Sequence, residues 1–168
     1  MKQKRICVIQ DISCFGKCSQ TVALPIFSAA GIETVILPTA LLSTHTGGLE
    51  GYTFLSLEDQ LDPISDHWKS LGLRFDAIAT GYVGSLAMIS KLEGIIRKLS
   101  GKDTLVFADP AMADNGKLYP LFDHAYAAAM TELCAKAQVV LPNITEACLM
   151  TDTPFRTDYS LDEIHDIL

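Results

Sequence analysis

The sequence predicts a doubly wound α/β fold, a mostly parallel sheet with helices on both faces. Short apolar runs recur along the chain, each separated from the next by a segment of helical periodicity. A strand that is apolar at every position is buried on both faces, as in a parallel sheet. The 168 residues are enough for one domain with a core, and 49% apolar with 20% charged residues is ordinary for a globular chain.

Ile6-Cys7-Val8-Ile9 reads as the first strand, ended by Gln10-Asp11. The preceding Met1-Lys2-Gln3-Lys4-Arg5 does not make a leader peptide, because the apolar run is shorter than the ~7–15 residues such a segment needs. Thr21 to Ala30 fits a helix with Gly31 beyond its end, and Pro25 predicts a later start or a kink. Thr34 to Leu37 is a second strand closed by Pro38. Residues 39–55 then form a long connection rich in Thr, Ser and Gly, of the kind that is functional or disordered. An amphipathic helix runs from Ser56 or Asp59 to Leu71, with Gly72 as its stop.

Ala77-Ile78-Ala79 is a third strand running into Gly81. Ser85 opens a helix with Leu86, Ile89, Leu92, Ile96 and Leu99 on one side. Leu105 to Ala108 is a fourth strand; a helix over about 123–136, the strand Val139-Val140-Leu141 and a further helix follow. Ser160 and Glu163 have capping-box spacing, opening a helix with Leu161, Ile164, Ile167 and Leu168 on its apolar side. The sequence stops soon afterwards and would leave that face bare, so residues 1–168 are expected to be the N-terminal portion of a single longer domain.

The formal charge of −7, without a block of lysines or arginines, argues against nucleic acid or an anionic membrane as a partner. A phosphate ligand stays open, because backbone N–H groups at helix starts bind phosphate without net positive charge. No apolar run approaches the ~18 residues of a membrane span, and a soluble chain is expected. The five cysteines are scattered without Cys-x-x-Cys or zinc spacing, so reduced thiols in a cytoplasmic protein are expected.

Ligands of open parallel sheets sit outside the carboxyl ends of the strands. The residues after the predicted strands are Asp11; Ser43, Thr44, His45 and Thr46 with two glycines; Gly81-Tyr82-Val83-Gly84; Asp109 and Asp114; and Asn143 with Glu146. Asp109 before Pro110, and Asp114 before Asn115-Gly116, also read as ordinary turn formers. Together they offer hard oxygens suited to Mg²⁺, which takes few protein ligands and fills the rest with water and phosphate. Asn143 and Glu146 equally read as an N-cap and its N3 partner. His45 reads as a loop hydrogen-bonder as readily as a catalyst, and Tyr82 as a filler as readily as a platform for an aromatic ligand. "FGKCS" is not a P-loop, since Asp11 and Cys18 stand where glycine and Ser/Thr are required. No G-x-G-x-x-G follows a strand, which weakens an oxidoreductase reading.

"VIQDISCFGKCS", "LPTALLSTHTGG", "TGYVGS", "ADPAMADNGKLY" and "VVLPNITEACLM", in that order between residues 6 and 151, resemble the pyridoxal/pyridoxamine (vitamin B6) kinases of the ribokinase-like superfamily. The resemblance implies a three-layer α/β/α ribokinase-like fold whose C-terminal part is missing here. It implies transfer of phosphate from ATP to the 5′-hydroxymethyl group of a vitamin B6 vitamer, with Mg²⁺, stimulation by K⁺, a cytoplasmic location and a homodimer. By position, Asp11, Ser43, His45, Thr46 and Tyr82 match the vitamer pocket, Asp11 standing where serine is frequent. Asp109, Asp114, Tyr119, Asn143 and Glu146 match the nucleotide-phosphate region, with Asp109, Asp114 and Glu146 about the metal, partly through water. Ala113 replaces the usual glycine after D-P-x-M, which would tighten the phosphate approach.

The family's Gly-x-Gly-Asp, whose aspartate is the general base, does not occur among these residues. No catalytic base is therefore assigned within them, and the 168 residues alone are expected not to turn over. Hydroxymethylpyrimidine or sugar kinases of the same superfamily, and a non-catalytic ligand-binding fragment, are the competing expectations.

Overall fold

The computed structural model describes residues 3–167, so Met1, Lys2 and the last apolar position of the C-terminal helix, Leu168, lie outside the described residues. The strands are β1 (Arg5–Ser13), β2 (Glu33–Leu42), β3 (Phe54–Ser56), β4 (Ala77–Thr80), β5 (Leu105–Ala108), β6 (Ala113–Asp114), β7 (Lys117–Leu118) and β8 (Val139–Val140). The helices are α1 (Gln20–Ala29), α2 (Glu58–Ser70), α3 (Leu86–Leu99), α4 (His124–Cys134), α5 (Ile144–Met150) and α6 (Leu161–Ile167).

One sheet takes the order β3-β2-β1-β4-β5-β8. It is parallel except for β3, which runs antiparallel to β2. The chain steps from β1 out to β2, then returns across β1 to β4, β5 and β8. Right-handed crossovers therefore set α1 on one face and α2, α3 and α4 on the other. That second face holds the main core, where Leu37, Leu61, Ile78, Met88, Leu92 and Ile95 are buried. Ile6 and Val8, alternating with Cys7 and Ile9, are buried beneath α1. Lys98 ties α3 to α2, its Nζ lying 2.6 Å from Asp66, 3.2 Å from Asp62 and 2.9 Å from Ser65 Oγ.

Several sequence expectations are corrected. Gln10-Asp11 does not end β1, which continues to Ser13, and the register with β2 shifts between Gln10 and Ile12. Pro38 does not close β2 either. It stands before the stretch Ala40–Leu42 that pairs with β3, where β2 is still an edge, the setting in which a strand admits proline. The connection after residue 39 is therefore partly strand, and its irregular part runs over 43–53. Pro25 lies inside α1, which begins at Gln20, so of the two expectations the later start is not observed. On α3, Leu86 is 48% exposed beside the N-cap Ser85, while Met88 and Ile95 join Ile89, Leu92 and Leu99 in the core.

The starts of α3, α4 and α6 carry side-chain caps, whereas α2 begins after Leu57 without one. Ser85 and Asp123 accept hydrogen bonds from Met88 N and Tyr126 N. At α6 the capping box is present, with Glu163 N donating to Ser160 Oγ and Ser160 N donating to Glu163 Oε2.

Leu92→Ala should cost roughly 2–5 kcal/mol through cavity formation, whereas Leu86→Ala should cost within about 0.5 kcal/mol as a surface change. Urea unfolding of the two variants measures both, and equal losses would contradict the burial assigned to α3.

Candidate active site

Every loop at the carboxyl end of β1, β2, β4 and β5 contributes to one cleft of about 610 Å³. Asp11, His45, Thr46, Tyr82, Asp109, Asp114 and Tyr119 all line it. Two halves are distinguishable, an acidic one after β5 and a mixed aromatic and hydrogen-bonding one around β1, β2 and β4.

The acidic half is a hairpin. Asp109 leaves β5 and bends the chain by accepting a hydrogen bond from Ala111 N at 3.2 Å. Ala111 sits at φ 40, and β6 and β7 then pair around Asn115-Gly116 at φ 50 and 76. Those two left-handed residues make the tight hairpin for which Asn-Gly is suited. Gly116 is required twice over, because a Cβ there would also lie 2.6 Å from the Phe155 ring. Asp114 caps the turn, accepting from Asn115 N at 2.8 Å and Asn115 Nδ2 at 3.0 Å.

The resemblance sets Glu146 about the metal, partly through water, and the structure puts it in the layer behind the acidic wall. It is 1% exposed, behind the hairpin. Its Oε1 accepts from Met112 N at 2.9 Å and Ala113 N at 3.3 Å, and its Oε2 accepts from Asn143 N at 2.9 Å. Both oxygens are engaged by backbone N–H groups, so in this arrangement the residue positions the hairpin. Asn143 helps, accepting from Glu146 N at 3.1 Å and donating Nδ2 to Ala113 O at 2.8 Å. The N-cap reading of Asn143 and Glu146 and the site reading are thus one structure. Ala113 is fully buried in that network and does not line the cleft, so its methyl does not tighten the approach.

Glu146 still acts electrostatically. The cleft walls desolvate Asp109 and raise its pKa, and the charge of Glu146 raises it further, while the Ala111 N–H opposes both. Burial likewise raises Tyr119, with added repulsion from Glu146, Asp114 and Asp109. These groups therefore share one field, short of positive charge. Among the described residues no three His, Cys, Asp or Glu side chains form a metal cage. Asp109 and Asp114, two hard oxygen donors on one open wall, fit a cation such as Mg²⁺ that keeps water and phosphate as its other ligands.

In the second half, Asp11 is 4% exposed and accepts a hydrogen bond from Ser13 Oγ at 2.9 Å. His45 Nδ1 accepts from Gly47 N at 3.1 Å, which leaves Nε2 as the protonated nitrogen of the neutral ring. Gly16, at φ 112, touches that ring so closely that a Cβ would fall 1.8 Å from His45 Cδ2. Tyr82 has its pKa raised by burial, then by Tyr52 and Asp11. Ser43 departs from expectation. Its Oγ accepts from Thr53 N at 2.9 Å, and its N–H bonds Thr53 O at 3.2 Å, so it closes the base of the loop and does not line the cleft.

Several contributors were not read from the sequence. Tyr52, Cys18 and Ala111 line the cleft. Thr145 Oγ1 accepts from Gly116 N at 3.0 Å. Phe122 stacks on Tyr126 at 3.7 Å and lies 5.7 Å from Tyr82 and 6.2 Å from Tyr119, bridging the two halves. Tyr126 OH donates to Val83 O at 2.5 Å. Aromatic spacing in the chain gives no hint of this contact; only the Gly81–Gly84 segment pointed to its neighbourhood.

A family model described as phosphomethylpyrimidine kinase matches residues 24–168. A Bacteroides thetaiotaomicron protein, provisionally named a phosphomethylpyrimidine kinase and crystallised with pyridoxal, is 40% identical with a TM-score of 0.93. The match covers 99% of this chain and 58% of that one. Pyridoxal kinase from Lactobacillus plantarum is 36% identical with a TM-score of 0.88, over 98% of this chain and 58% of that one. A Schizosaccharomyces pombe protein provisionally named a pyridoxal kinase is 28% identical over 152 residues, 88% of this chain and 48% of the relative. The chain thus spans about half the length of the curated relative it matches. With the parallel sheet, the strand-end cleft and the family match agreeing, the chain belongs to the phosphomethylpyrimidine kinase family, the ribokinase-like group that includes the pyridoxal kinases it resembles.

Proposed function

We propose that this chain supplies the vitamer pocket and the metal-facing wall of a kinase that phosphorylates the 5′-hydroxymethyl group of a vitamin B6 vitamer with ATP. The observation that carries the reading is the joining of two chemistries in one cleft. Tyr82, Tyr52, His45 and Asp11 suit a polar aromatic ring, and Asp109 with Asp114 suits a metal-bound polyphosphate. The relative crystallised with pyridoxal supports the ring's identity.

Phosphoryl transfer needs little covalent help from a protein; positioning and charge stabilisation do most of it. Mg²⁺ bound with ATP would neutralise charge on the transferring phosphoryl group. Asp109 and Asp114 would orient its water shell, Glu146 would hold their hairpin, and Asn143 would fix the start of α5. Asp11, His45 and Tyr82 would orient the ring, presenting its hydroxymethyl group toward the acidic wall. Within residues 1–168 no group is assigned as general base, and the chain alone is proposed to bind without turnover. Stimulation by K⁺ and a cytoplasmic location are carried by the motif resemblance. A homodimer gains support from exposed Leu24 and Ile26 on α1 and Phe54 and Leu55 on the β3 edge.

Calorimetric titration of the 168-residue chain with pyridoxal, pyridoxamine, pyridoxine and hydroxymethylpyrimidine tests the assignment. Vitamer binding with no ATP consumption is expected; preference for the pyrimidine would transfer the chain to the rival kinase reading. Asp11 refines the expectation. A buried carboxylate with a serine hydroxyl but no cation paired to it among the described residues favours a cationic amine, so Asp11→Ser should weaken pyridoxamine by about tenfold or more and leave pyridoxal nearly unchanged.

Asp109 supplies a pH test. Its pKa is raised in the folded chain, so the folded state holds that proton more tightly than the unfolded one. Stability from this source is present at low pH and is lost as pH rises through and above the ordinary value of 3.8. Asp109→Asn, measured with a chelator present, should therefore melt higher than the parent near neutral pH. The two should converge in acid, and a constant gap would contradict the stated cause.

A further inference from the structure

A second cavity, of about 370 Å³, opens between α3 and α4 against β5. Its mouth is built from Arg97, Ser100, Lys102 and Thr104, which precede the amino end of β5, and from Lys136 and Gln138, which precede β8. The mouth therefore lies toward the end of the sheet opposite the cleft, while Thr80 and Ala108 extend the inner wall to the carboxyl ends of β4 and β5. Its floor is apolar, formed by Ile96, Val106, Ala108 and Leu133.

The charge at this mouth runs against that of the protein. In a chain of net charge −7, Arg97, Lys102 and Lys136 meet here with Glu93 as the one acid lining the cavity. Glu93 is engaged by Lys136 at 2.6 Å. Arg97 and Lys102 form no ion pair among the described residues. Arg97 complements the carbonyl end of α3, which does not account for Lys102 beyond that end. Nor does it account for Ser100 Oγ, which is buried without a hydrogen-bond partner among the described residues. A buried hydroxyl left unpaired in a native structure calls for an explanation, and a bound group is one. Thr104 Oγ1 and Gln138 Oε1, by contrast, are spent on Phe75 O and Val106 N.

We propose that this cavity is a second ligand site, for a small organic oxyanion with an apolar body, either a phosphate monoester or a carboxylate. Arg97 and Lys102 meet the anion, Ser100 Oγ gains its partner, and the apolar body covers Ile96 and Val106. Thr80 and Ala108 line the cavity and are each followed within two residues by Tyr82 and Asp109 of the cleft, so an occupant bears on the strands that carry the active residues. The site is independent of the proposed vitamer kinase activity.

Titration of the ¹⁵N-labelled 168-residue chain followed by amide shifts tests the proposal, with phenyl phosphate, benzoate, inorganic phosphate and benzyl alcohol as probes. Phenyl phosphate or benzoate should shift Ser100, Thr104 and Val106; the tighter of the two identifies the anion. Inorganic phosphate and benzyl alcohol should each bind at least about tenfold more weakly, since each keeps one of the two recognition elements. Arg97→Gln with Lys102→Gln, exposed positions without packing roles, should lower affinity by about tenfold and leave the remaining amide spectrum in place. Ser100→Ala offers a second reading should that double variant lose dispersion. Shifts concentrated at Asp11, Tyr82 and Asp109, equal binding of benzyl alcohol, indifference to the cationic substitutions, or no binding would each overturn the proposal.

Discussion

The buried carboxylate of Glu146 is the constraint on which the candidate site depends. A charge removed from water is tolerable only when hydrogen bonds replace its hydration, and Glu146 receives three, from Met112, Ala113 and Asn143. Bonds to a charged group contribute roughly 1.5–3 kcal/mol each. A single residue held in the left-handed region, as Ala111 is, costs on the order of 1–3 kcal/mol. The three bonds fix the loop in place, and the left-handed residue Ala111 helps turn the chain back after Asp109. The same carboxylate that shapes the acidic wall also raises the proton affinity of Asp109 from behind. Geometry and electrostatics of that wall therefore have one source, and a bound cation would relieve the repulsion without disturbing the scaffold.

A comparable arrangement holds the opposite wall. Lys17 and Ser19 have positive φ, as does Gly16 between the end of β1 and α1. This strained loop is pinned by a bridge between Ile12 and Ser19, by His45 N donating to Phe15 O, and by Ser19 O accepting from Val22 N and Ala23 N at the start of α1. Buried Gln20 adds bonds from Nε2 to Val8 O and Gln10 O. Irregular backbone around a ligand cleft persists only when its surroundings over-determine it. Here the loops after β1 and β2 constrain each other through the contact of Gly16 with His45. Phe122, stacked on Tyr126 and near both Tyr82 and Tyr119, spans from this wall to the acidic one.

Much of the fold was legible in the sequence because its signals are local. Leu105–Ala108 is an unbroken apolar run and is β5 as expected. Ser85, Asp123, Asn143 and Ser160 sit where helix starts require a short polar side chain, and Gly72, with positive φ, follows the end of α2. The address of the cleft was legible for the same reason, since parallel strands all end on one edge. What misled the reading was polarity inside a strand. Gln10, Asp11 and Pro38 look like stops, yet pairing with a neighbouring strand carried the chain through them.

The sequence by itself determined the α/β layering, the caps at Ser85, Asn143 and Ser160, the Asn-Gly turn and the gathering of oxygen-bearing residues at one rim, because each follows from periodicity or from contacts a few residues apart. Only the tertiary structure decided that Glu146 faces backbone and not the cleft, that Ser43 latches onto Thr53, and that Phe122 joins the two walls. Those outcomes depend on which hydrogen bond or ring contact a side chain reaches across many residues of chain, and a one-dimensional pattern does not record that competition.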